Sequence, residues 1–307
     1  MTLAPGTRLS AQVYYAEQSS ITEAGLRSAL LDGLPMRIPA LVEVVRGLII
    51  HPVAAERQGL PPEPEADVEQ VRFVADMLHY ILDRCSAPLM VSREPSLRIR
   101  SNCRESAVLL VAMLRHQGVS ARKRTGFARY INYIHEIAEY WDAERDAWVL
   151  VDPDVAAGVQ SAWISAHGGP IGPATYGAID LRTADAFVLG GDAWQRCRRG
   201  VADPREFHGA GKGEGMPGVR QALLQDFDGL NKVELTSHDW WGGDLDDKPH
   251  PELSVEDLAA LDRIAELTVN ANTRFAELRR MYAELPHGRT VLSRLENLCA
   301  LLRTETC

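Results

Sequence analysis

The sequence predicts an α+β fold, in which one apolar helix packs on an antiparallel sheet and helical regions lie before and after it. Three observations support this prediction. Apolar residues recur at helical spacing after Cys103, polar and apolar residues then alternate within 119–152, and helical spacing returns from Ser254 onward. A run of strands between runs of helices is typical of α+β chains, because parallel sheets alternate strand with helix.

The chain has 307 residues with 46% hydrophobic content, and no low-complexity segment divides it. We therefore expect a single compact domain over 1–307. Within it, 1–100 is predicted to be mostly helical, 101–245 to hold the central helix, sheet and loops, and 246–307 to form C-terminal helices. The stretch 157–215 is rich in Gly, Pro and Ala, which favours long surface loops with a few short elements.

Two helices are predicted in the N-terminal region. One is expected over 40–50, and a proline-rich break follows it at 60–64. The second is expected to be capped by Asp67 and Gln70. Its inner face would carry Val71, Val74, Leu78 and Ile81. We expect this apolar stripe to be core rather than a cofactor site.

The C-terminal region is predicted to close the fold with further helices. Ser254 is a capping signal, and apolar residues then recur at helical spacing from Leu258 to Leu267. Helical patterns continue over 275–285 and 290–302.

The central helix begins at a cysteine. Asn102 suits the N-cap and Glu105 the third helical position, which predicts a capping box with Cys103 in the first turn. The apolar spacing continues to Leu114, and Gly118 suits the left-handed position past the helix end. Because a helix start stabilises negative charge, we expect the thiol pKa to fall below its ordinary value of about 8.5. Alone, such a cysteine is more often a small buried residue.

The segment after this helix is predicted to form an antiparallel sheet. Strands are expected over 120–127, 134–141 and 147–152, with a polar hairpin loop at 142–146. Glu136 lies on one face of the middle strand by alternation. The opposite face carries His135, Ile137, Glu139 and Trp141.

Cys103, His135 and Asp152 are the candidate catalytic residues. His135 and Asp152 lie on neighbouring predicted strands, so the imidazole and the carboxylate can reach hydrogen-bonding distance. Nucleophilic acyl chemistry of the Cys–His–Asp type needs that geometry. Taken singly, His135 is more often a structural strand histidine, and Asp152, before Pro153, is more often a turn former. Their combination and order favour catalysis.

This segment resembles the transglutaminase-like superfamily of papain-type cysteine enzymes. The motifs that carry the resemblance are 102–107, 109–115, 118–122, 126–127, His135 with 139–142, and 148–153. The resemblance implies a papain-like cysteine protease core, with the catalytic Cys103 at a helix N-terminus on an antiparallel sheet. It also implies that His135 is the base and Asp152 the orienting carboxylate.

Further motifs at 185–191, 230–235 and 239–242 resemble a bacterial branch of the same superfamily. Two positions depart from the family pattern. Members commonly carry Gly or Thr before the cysteine and an aromatic residue after the histidine, where this chain has Asn102 and Glu136.

We expect a cysteine-dependent acyl-transfer enzyme that works through a thioester on Cys103 and needs no cofactor. Water as the acceptor gives amide hydrolysis, whereas an amine gives amide formation, and the sequence leaves both open. The expected substrate is a small molecule, an acyl thioester or a short peptide, which fits secondary metabolism. A cysteine peptidase and a non-catalytic binding protein of the same fold are the alternatives.

Oxyanion and substrate contacts are also predicted. The backbone N–H at the helix start is one oxyanion donor, and the side chain of Asn102 or the indole of Trp241 is a candidate second donor. Buried packing is the commoner role of such a tryptophan. Glu139 is a candidate substrate contact, although an ion pair with Arg122 or Arg124 is an equal alternative.

Composition disfavours several other functions. The formal net charge is −9 and the chain has no Lys/Arg-rich block, so no nucleic-acid partner is expected. The start lacks a secretory pattern, so a cytoplasmic location is expected, and no stretch approaches the roughly 20 apolar residues of a membrane span. The five cysteines are scattered without a C-x-x-C pair, which disfavours a disulfide framework and a zinc site.

Overall fold

The computed structural model describes residues 10–61, 71–130, 132–154, 178–181, 186–209, 214–236, 239, 245 and 248–305. The helices in these ranges are α1 (Ala11–Ala16), α2 (Ile38–Leu48), α3 (Pro52–Arg57), α4 (Val74–Arg84), α5 (Cys103–His116), α6 (Gly190–Arg198), α7 (Met216–Leu230), α8 (Val255–Val269), α9 (Phe275–Glu284) and α10 (Pro286–Glu305). The strands are β1 (Ile49–Ile50), β2 (Ile99–Arg100), β3 (Ala121–Ala128), β4 (Tyr133–Asp142), β5 (Ala147–Val151) and β6 (Phe187–Leu189).

The larger sheet is antiparallel and has the strand order β5-β4-β3-β6. The strands β1 and β2 form a separate parallel pair. Helix α5 packs against β4 and β3, and these elements share the main hydrophobic core. A helix on an antiparallel sheet is the predicted α+β arrangement.

Helix α5 is buried from Arg104 to Arg115. Arg104 and Arg115, near the two ends of α5, both contact Glu234. Arg115 Nη1 lies 3.0 Å from Glu234 Oε1, and Arg104 Nη2 donates to the Glu234 backbone carbonyl at 2.6 Å. Because a buried cation needs a partner, these contacts hold the helix at both ends. The first turn of α5 is therefore set firmly against the sheet.

The strand register determines which side chains approach that first turn. Gly126 pairs with His135, and Ala138 pairs with Val151. Extending the second register by one residue sets Asp152 opposite Ile137, on the same side as His135. A Cβ on Gly126 would lie 2.1 Å from the backbone oxygen of Val188 on β6. Glycine therefore lets β6 pass beside the strand position paired with His135.

Helix α7 covers the part of β3 that β6 leaves unpaired. Asp226 Oδ1 accepts a hydrogen bond of 2.9 Å from the backbone N–H of Thr125, and its carboxylate also pairs with Arg124 at 2.9 Å. A carboxylate thus takes the place of a neighbouring strand along this edge. Sequence patterns did not predict α7, because almost all of its residues are buried whether they are apolar or polar, Arg220, Gln225 and Asp226 among them, so polarity does not mark a solvent-facing side.

Most predicted central elements are confirmed. The helix from Cys103, the three strands and the turn after Asp142 all occur, and Gly118 has a φ of +77° past the end of α5. Ser254 caps α8, since its hydroxyl accepts from the Asp257 N–H at 3.1 Å. The helical patterns at 275–285 and 290–302 correspond to α9 and α10.

Two N-terminal predictions are corrected. The helix predicted over 40–50 ends at Leu48, because residues 49–50 form β1 and pair with β2. Val71 is buried but lies before α4, which begins at Val74. The residues predicted to cap this helix, Asp67 and Gln70, lie outside the described residues.

The predicted loop region is described only in part. Residues 155–177 lie outside the described residues, and 187–198 form β6 and α6. Within the part of the chain that the structure describes, no helix is both long enough and apolar enough to cross a membrane.

Candidate active site

Cys103 is the first residue of α5, directly after β2 and the connecting residues Ser101 and Asn102. The Glu105 carboxylate accepts a hydrogen bond of 3.2 Å from the backbone N–H of Asn102, as the predicted capping box requires. The Cys103 side chain is half-buried. The anchored helix thus presents a thiol from its first turn.

His135 and Asp152 form the second part of the site. His135 Nε2 lies 2.7 Å from Asp152 Oδ2, and Asp152 is fully buried. The other carboxylate oxygen, Oδ1, accepts a hydrogen bond of 2.9 Å from the backbone N–H of Asp154. The carboxylate is therefore held from both sides, and it orients the imidazole.

The His135 imidazole acts electrostatically on the Cys103 thiol and opposes the increase in the thiol pKa. Since Asp152 occupies Nε2 of the ring, Nδ1 is the nitrogen left for the sulfur. The structure thus brings together the three predicted residues in the order sulfur, imidazole, carboxylate. This order lets a proton pass from sulfur to nitrogen while the carboxylate supports the resulting charge.

The predicted lowering of the Cys103 pKa is wrong. Burial raises the pKa of the thiol to about 11; His135 opposes this increase, whereas Glu136 and Asp154 add to it. The partial charge of a helix start is worth at most about 2 kcal/mol, so it does not offset the removal of a thiolate from water.

His135 supplies the compensation. Burial lowers the pKa of its imidazole, but the Asp152 carboxylate and the neighbouring Cys103 outweigh burial and raise that pKa well above the ordinary value. Asp152 and the thiolate therefore stabilise the imidazolium that forms when His135 takes the thiol proton. Ionisation of Cys103 depends on passing its proton to this histidine, rather than on the helix start alone.

Glu136 is a site residue that sequence reasoning assigned only to the opposite face of the strand. That face packs toward α5, and the Cys103 thiol donates a long hydrogen bond of 3.7 Å to Glu136 Oε2. Glu136 Oε1 accepts from Lys123 Nζ at 2.7 Å, and both side chains are almost completely buried. A glutamate between the apolar core residues Ile134 and Ala138 was the available signal.

We expect Glu136→Gln to increase the alkylation rate of Cys103 by iodoacetamide at pH 8 by at least about tenfold. The change removes a negative charge beside the sulfur and leaves the Lys123 ammonium, so the thiol pKa falls. In the unmodified protein, the raised pKa predicts a rate that increases with pH up to about 11. Peptide mapping by mass spectrometry measures each rate between about pH 6 and pH 11. This interval includes the ordinary thiol pKa of about 8.5 and extends to the raised value of about 11.

Cys197 serves as the internal control for this measurement. Burial, together with Asp203 and Glu206, raises its thiol pKa to about 11 as well, so its labelling should not respond to Glu136→Gln. Thermal melts establish that the variant is folded, because breaking a buried ion pair can cost about 3–5 kcal/mol. An unchanged Cys103 rate in folded variant protein would show that the carboxylate does not act on the sulfur.

The remaining predicted contacts have different surroundings. Asn102 adjoins the nucleophile at the N-cap. Glu139 is buried and pairs with both Arg122, at 2.6 Å, and Arg124, at 2.7 Å, which is the ion-pair alternative. These pairs explain its charge without a substrate. Trp241 lies outside the described residues.

Four further residues that the sequence did not indicate have electrostatic interactions with the triad. Tyr130 and Tyr133 interact with Cys103, and burial raises the pKa of both phenols, so they remain neutral donors. His51 and Asp154 interact with each other and with His135. Among the described residues, no cluster of three or more His, Cys, Asp or Glu side chains is arranged to bind a metal ion.

Comparisons with known proteins cover this region. Residues 64–153 match the family model described as the transglutaminase-like superfamily. No curated protein matches the chain. Among solved structures, a provisionally assigned cysteine protease from Cytophaga hutchinsonii is similar, with 13% identity, a TM-score of 0.34, and coverage of 61% of this chain and 53% of that chain. This chain therefore matches about half of that structure, and so loose an overlap says nothing about activity.

The family match includes all three residues of the sulfur, imidazole and carboxylate series. It confirms the resemblance and the fold class predicted from the sequence, an α+β chain with a transglutaminase-like core. The matched family is one of cysteine enzymes.

Proposed function

Since residues 64–153 belong to the transglutaminase-like superfamily, we propose that this protein is a cysteine-dependent acyl-transfer enzyme. The observation that carries the proposal is the arrangement of Cys103 at the start of α5, His135 acting on its thiol, and Asp152 bonded to His135 at 2.7 Å. A cysteine, a histidine and a buried carboxylate in this order are the parts that thioester chemistry needs. The substrate class we propose is an amide or thioester of a small molecule or short peptide.

In the acylation step, His135 takes the proton of the Cys103 thiol and the sulfur attacks the carbonyl carbon. The carbonyl electron pair moves to oxygen, and the oxyanion then collapses as the bond to the leaving group breaks. The His135 imidazolium, supported by Asp152, returns its proton to that leaving group. The acyl group remains on sulfur as a thioester.

In the second step, water or an amine attacks the thioester. His135 accepts the proton of this nucleophile, and Cys103 leaves as thiolate and recovers a proton. Water yields the free acid, whereas an amine yields an amide. The protein supplies the same three groups in both cases, so the acceptor determines whether the reaction is hydrolysis or amide formation.

The raised pKa of the thiol supports an enzyme that reacts slowly with general electrophiles. A thiol that is neutral and half-buried at rest reaches its reactive form only with the proton on His135. Such a site favours substrates that bind beside the pair and remain there during proton transfer. A cysteine peptidase uses the same groups, and a non-catalytic binding protein would make no thioester.

We expect an added amine of the right structure to divert product from free acid to amide, because both acceptors compete for one thioester. The measurement is chromatographic analysis of products from acyl thioester and amide donors, each with a panel of primary amines. Cys103→Ala should abolish both products, and Cys85→Ala should keep their ratio, since Cys85 is the C-cap residue of α4.

The outcomes separate the alternatives. Free acid alone across a broad amine panel contradicts amide formation and supports a hydrolase. Cleavage of peptides with no turnover of small donors supports a peptidase. Binding without either product, in folded protein, supports the binding-protein alternative.

A further inference from the structure

Lys232 follows helix α7 in a backbone conformation that lysine rarely adopts. Its φ is +63°, in the left-handed region, and it comes directly after the C-cap residue Asn231. The Lys232 N–H donates to the Gly229 carbonyl and the Val233 N–H donates to the Asp228 carbonyl, each at 3.0 Å. These two hydrogen bonds define a Schellman motif, whose left-handed position usually holds glycine. Since a side chain is strained at this position, the turn itself gives no reason for a lysine.

The Lys232 ammonium lies over an aromatic ring rather than beside a carboxylate. Its Nζ is 4.2 Å from the centroid of the Tyr14 ring, and the guanidinium carbon of Arg279 is 4.6 Å from the same centroid. Among the described residues, no carboxylate forms an ion pair with either cation. Two cations without a counter-charge on one ring favour a ligand that carries negative charge.

The surroundings of Lys232 disfavour its charged form. Burial lowers the pKa of the amine to about 8; Arg115 and Arg279 add to this decrease, whereas Glu234 and Glu17 oppose it. The pKa of an ordinary lysine is about 10.4, so the neutral fraction of Lys232 at about pH 7.5 is larger by a factor of about 10². Only the neutral amine has a lone pair with which to attack a carbonyl carbon. Lys232 thus combines a half-buried position with an amine that reacts near neutral pH.

Arg279 is able to hold an anion at the same ring. Its Nη1 donates to Asn231 Oδ1 at 2.6 Å. In the part of the chain that the structure describes, its Nη2 and Nε donate to no acceptor. A guanidinium with N–H groups left over is well suited to a carboxylate or a phosphate.

We propose that Lys232 is a Schiff-base site for small aldehydes that carry a negative charge. The nitrogen lone pair attacks the carbonyl carbon and forms a carbinolamine. Its hydroxyl group then leaves with a proton from nitrogen as water, so that a carbon–nitrogen double bond remains and no electrons are gained or lost. The anionic group of the aldehyde pairs with Arg279 and supplies the counter-charge. A desolvated lysine next to another cation is a setting in which such amines are activated.

This site is separate from the candidate active site. Arg115, which acts electrostatically on Lys232, lies in the last turn of α5, whereas Cys103 lies in the first. The inference therefore does not depend on the proposed acyl-transfer function. Cys103→Ala should leave the reactions of Lys232 unchanged.

Glyoxylate, an aldehyde with a carboxylate, and acetaldehyde, which is uncharged, are the probes. Each is added to the full-length protein with cyanoborohydride, which reduces the imine to a stable secondary amine, and peptide mapping gives the rate at each lysine. At about pH 7.5 we expect glyoxylate to modify Lys232 at least about tenfold faster than Lys248, whose Nζ pairs with Asp257 at 3.1 Å. The preference for glyoxylate over acetaldehyde should be at least about threefold larger at Lys232 than at Lys248.

Three variants test the assignment. Lys232→Gly should remove the fast adduct from the intact-mass spectrum and should fold normally, because glycine fits the left-handed φ. Arg279→Gln should reduce the glyoxylate preference at Lys232 to that at Lys248. Arg280→Gln, an exposed position next to it on α9, is the matched control and should leave the preference unchanged. Thermal melts establish that each variant is folded.

Several outcomes would overturn the proposal. One is modification of Lys232 no faster than that of Lys248, and another is an equal glyoxylate preference at the two lysines. A fast adduct that persists in folded Lys232→Gly places the reaction on another amine. Equal effects of Arg279→Gln and Arg280→Gln would show a general effect of charge instead of an anion held by Arg279. If Cys103 forms no acyl-enzyme with any donor, the proposed function fails while these rates at Lys232 stand.

Discussion

We expect Cys103→Ala to lower acyl-transfer turnover by about 10⁶, the loss that removing a triad nucleophile produces in a hydrolase whose catalytic groups act as one unit. The substitution removes the sulfur that carries the acyl group, and His135 then has no thiol to deprotonate. Alanine fits the helix start and its small side chain disturbs little packing, so the fold should persist. Steady-state turnover and thermal melts measure the two effects.

Cys197→Ala is the control for this loss. Cys197 is also half-buried with a thiol pKa raised to about 11, but it belongs to α6, and the charged groups that act on its thiol are Asp203 and Glu206. Its substitution should leave turnover unchanged. Activity in Cys103→Ala within about tenfold of the unmodified protein would mean that another nucleophile does the chemistry.

The second large effect is expected at Asp152. Asp152→Asn should lower kcat by about 10⁴, as the corresponding change does in serine proteases. The amide N–H of asparagine donates to Nε2 of His135, which moves the ring proton to Nδ1. The nitrogen facing Cys103 then carries a proton and cannot accept another. Because asparagine keeps the shape and an acceptor for the Asp154 N–H, stability should change little.

Asp142→Asn provides the comparison. Asp142 Oδ1 accepts from the backbone N–H groups of Glu144 and Arg145 at 3.0 and 3.1 Å, and an asparagine oxygen can accept both. Turnover should therefore remain normal. Near-normal turnover of Asp152→Asn would place the third catalytic group elsewhere, and Glu139, on the same strand face as His135, would be tested next.

The central helix and hairpin were predictable because their signals are local. The capping residues before and within α5, Gly118 after it, and alternation along β4 are each contained in a short stretch. The register of a short hairpin follows from its turn, so the approach of His135 to Asp152 could also be expected. The assignment of Cys103 as candidate nucleophile rested on its position at the helix start together with His135 and Asp152 in order.

Other features depend on contacts between distant parts of the chain. The strands β1 and β2 have two residues each, too few to show a period, so their pairing had no sequence signal. The pKa of Cys103 depends on burial by several elements and on Glu136, and a helix-start argument includes neither. Local rules therefore predicted Cys103 as the candidate nucleophile but gave the wrong direction for its pKa.

The buried ion pairs of the sheet also depend on contacts between distant parts of the chain. Charged side chains on a strand usually face solvent. Lys123, Arg124 and Glu139 are charged strand residues, yet all three are buried. Their partners come from the same hairpin and from α7, which lies far along the chain. Buried ion pairs of this kind need several matched charges at once, and a single sequence does not show which charges meet.

The mass of the intact protein, measured after brief incubation with candidate acyl thioesters and amides and acid quenching, tests the central claim most directly. The account predicts one added acyl group, located on Cys103 by peptide mapping, released by hydroxylamine and absent from Cys103→Ala. The adduct should persist longer when no amine acceptor is added. An acyl group on another residue, or turnover of a donor by protein that never carries a thioester on Cys103, would contradict the account.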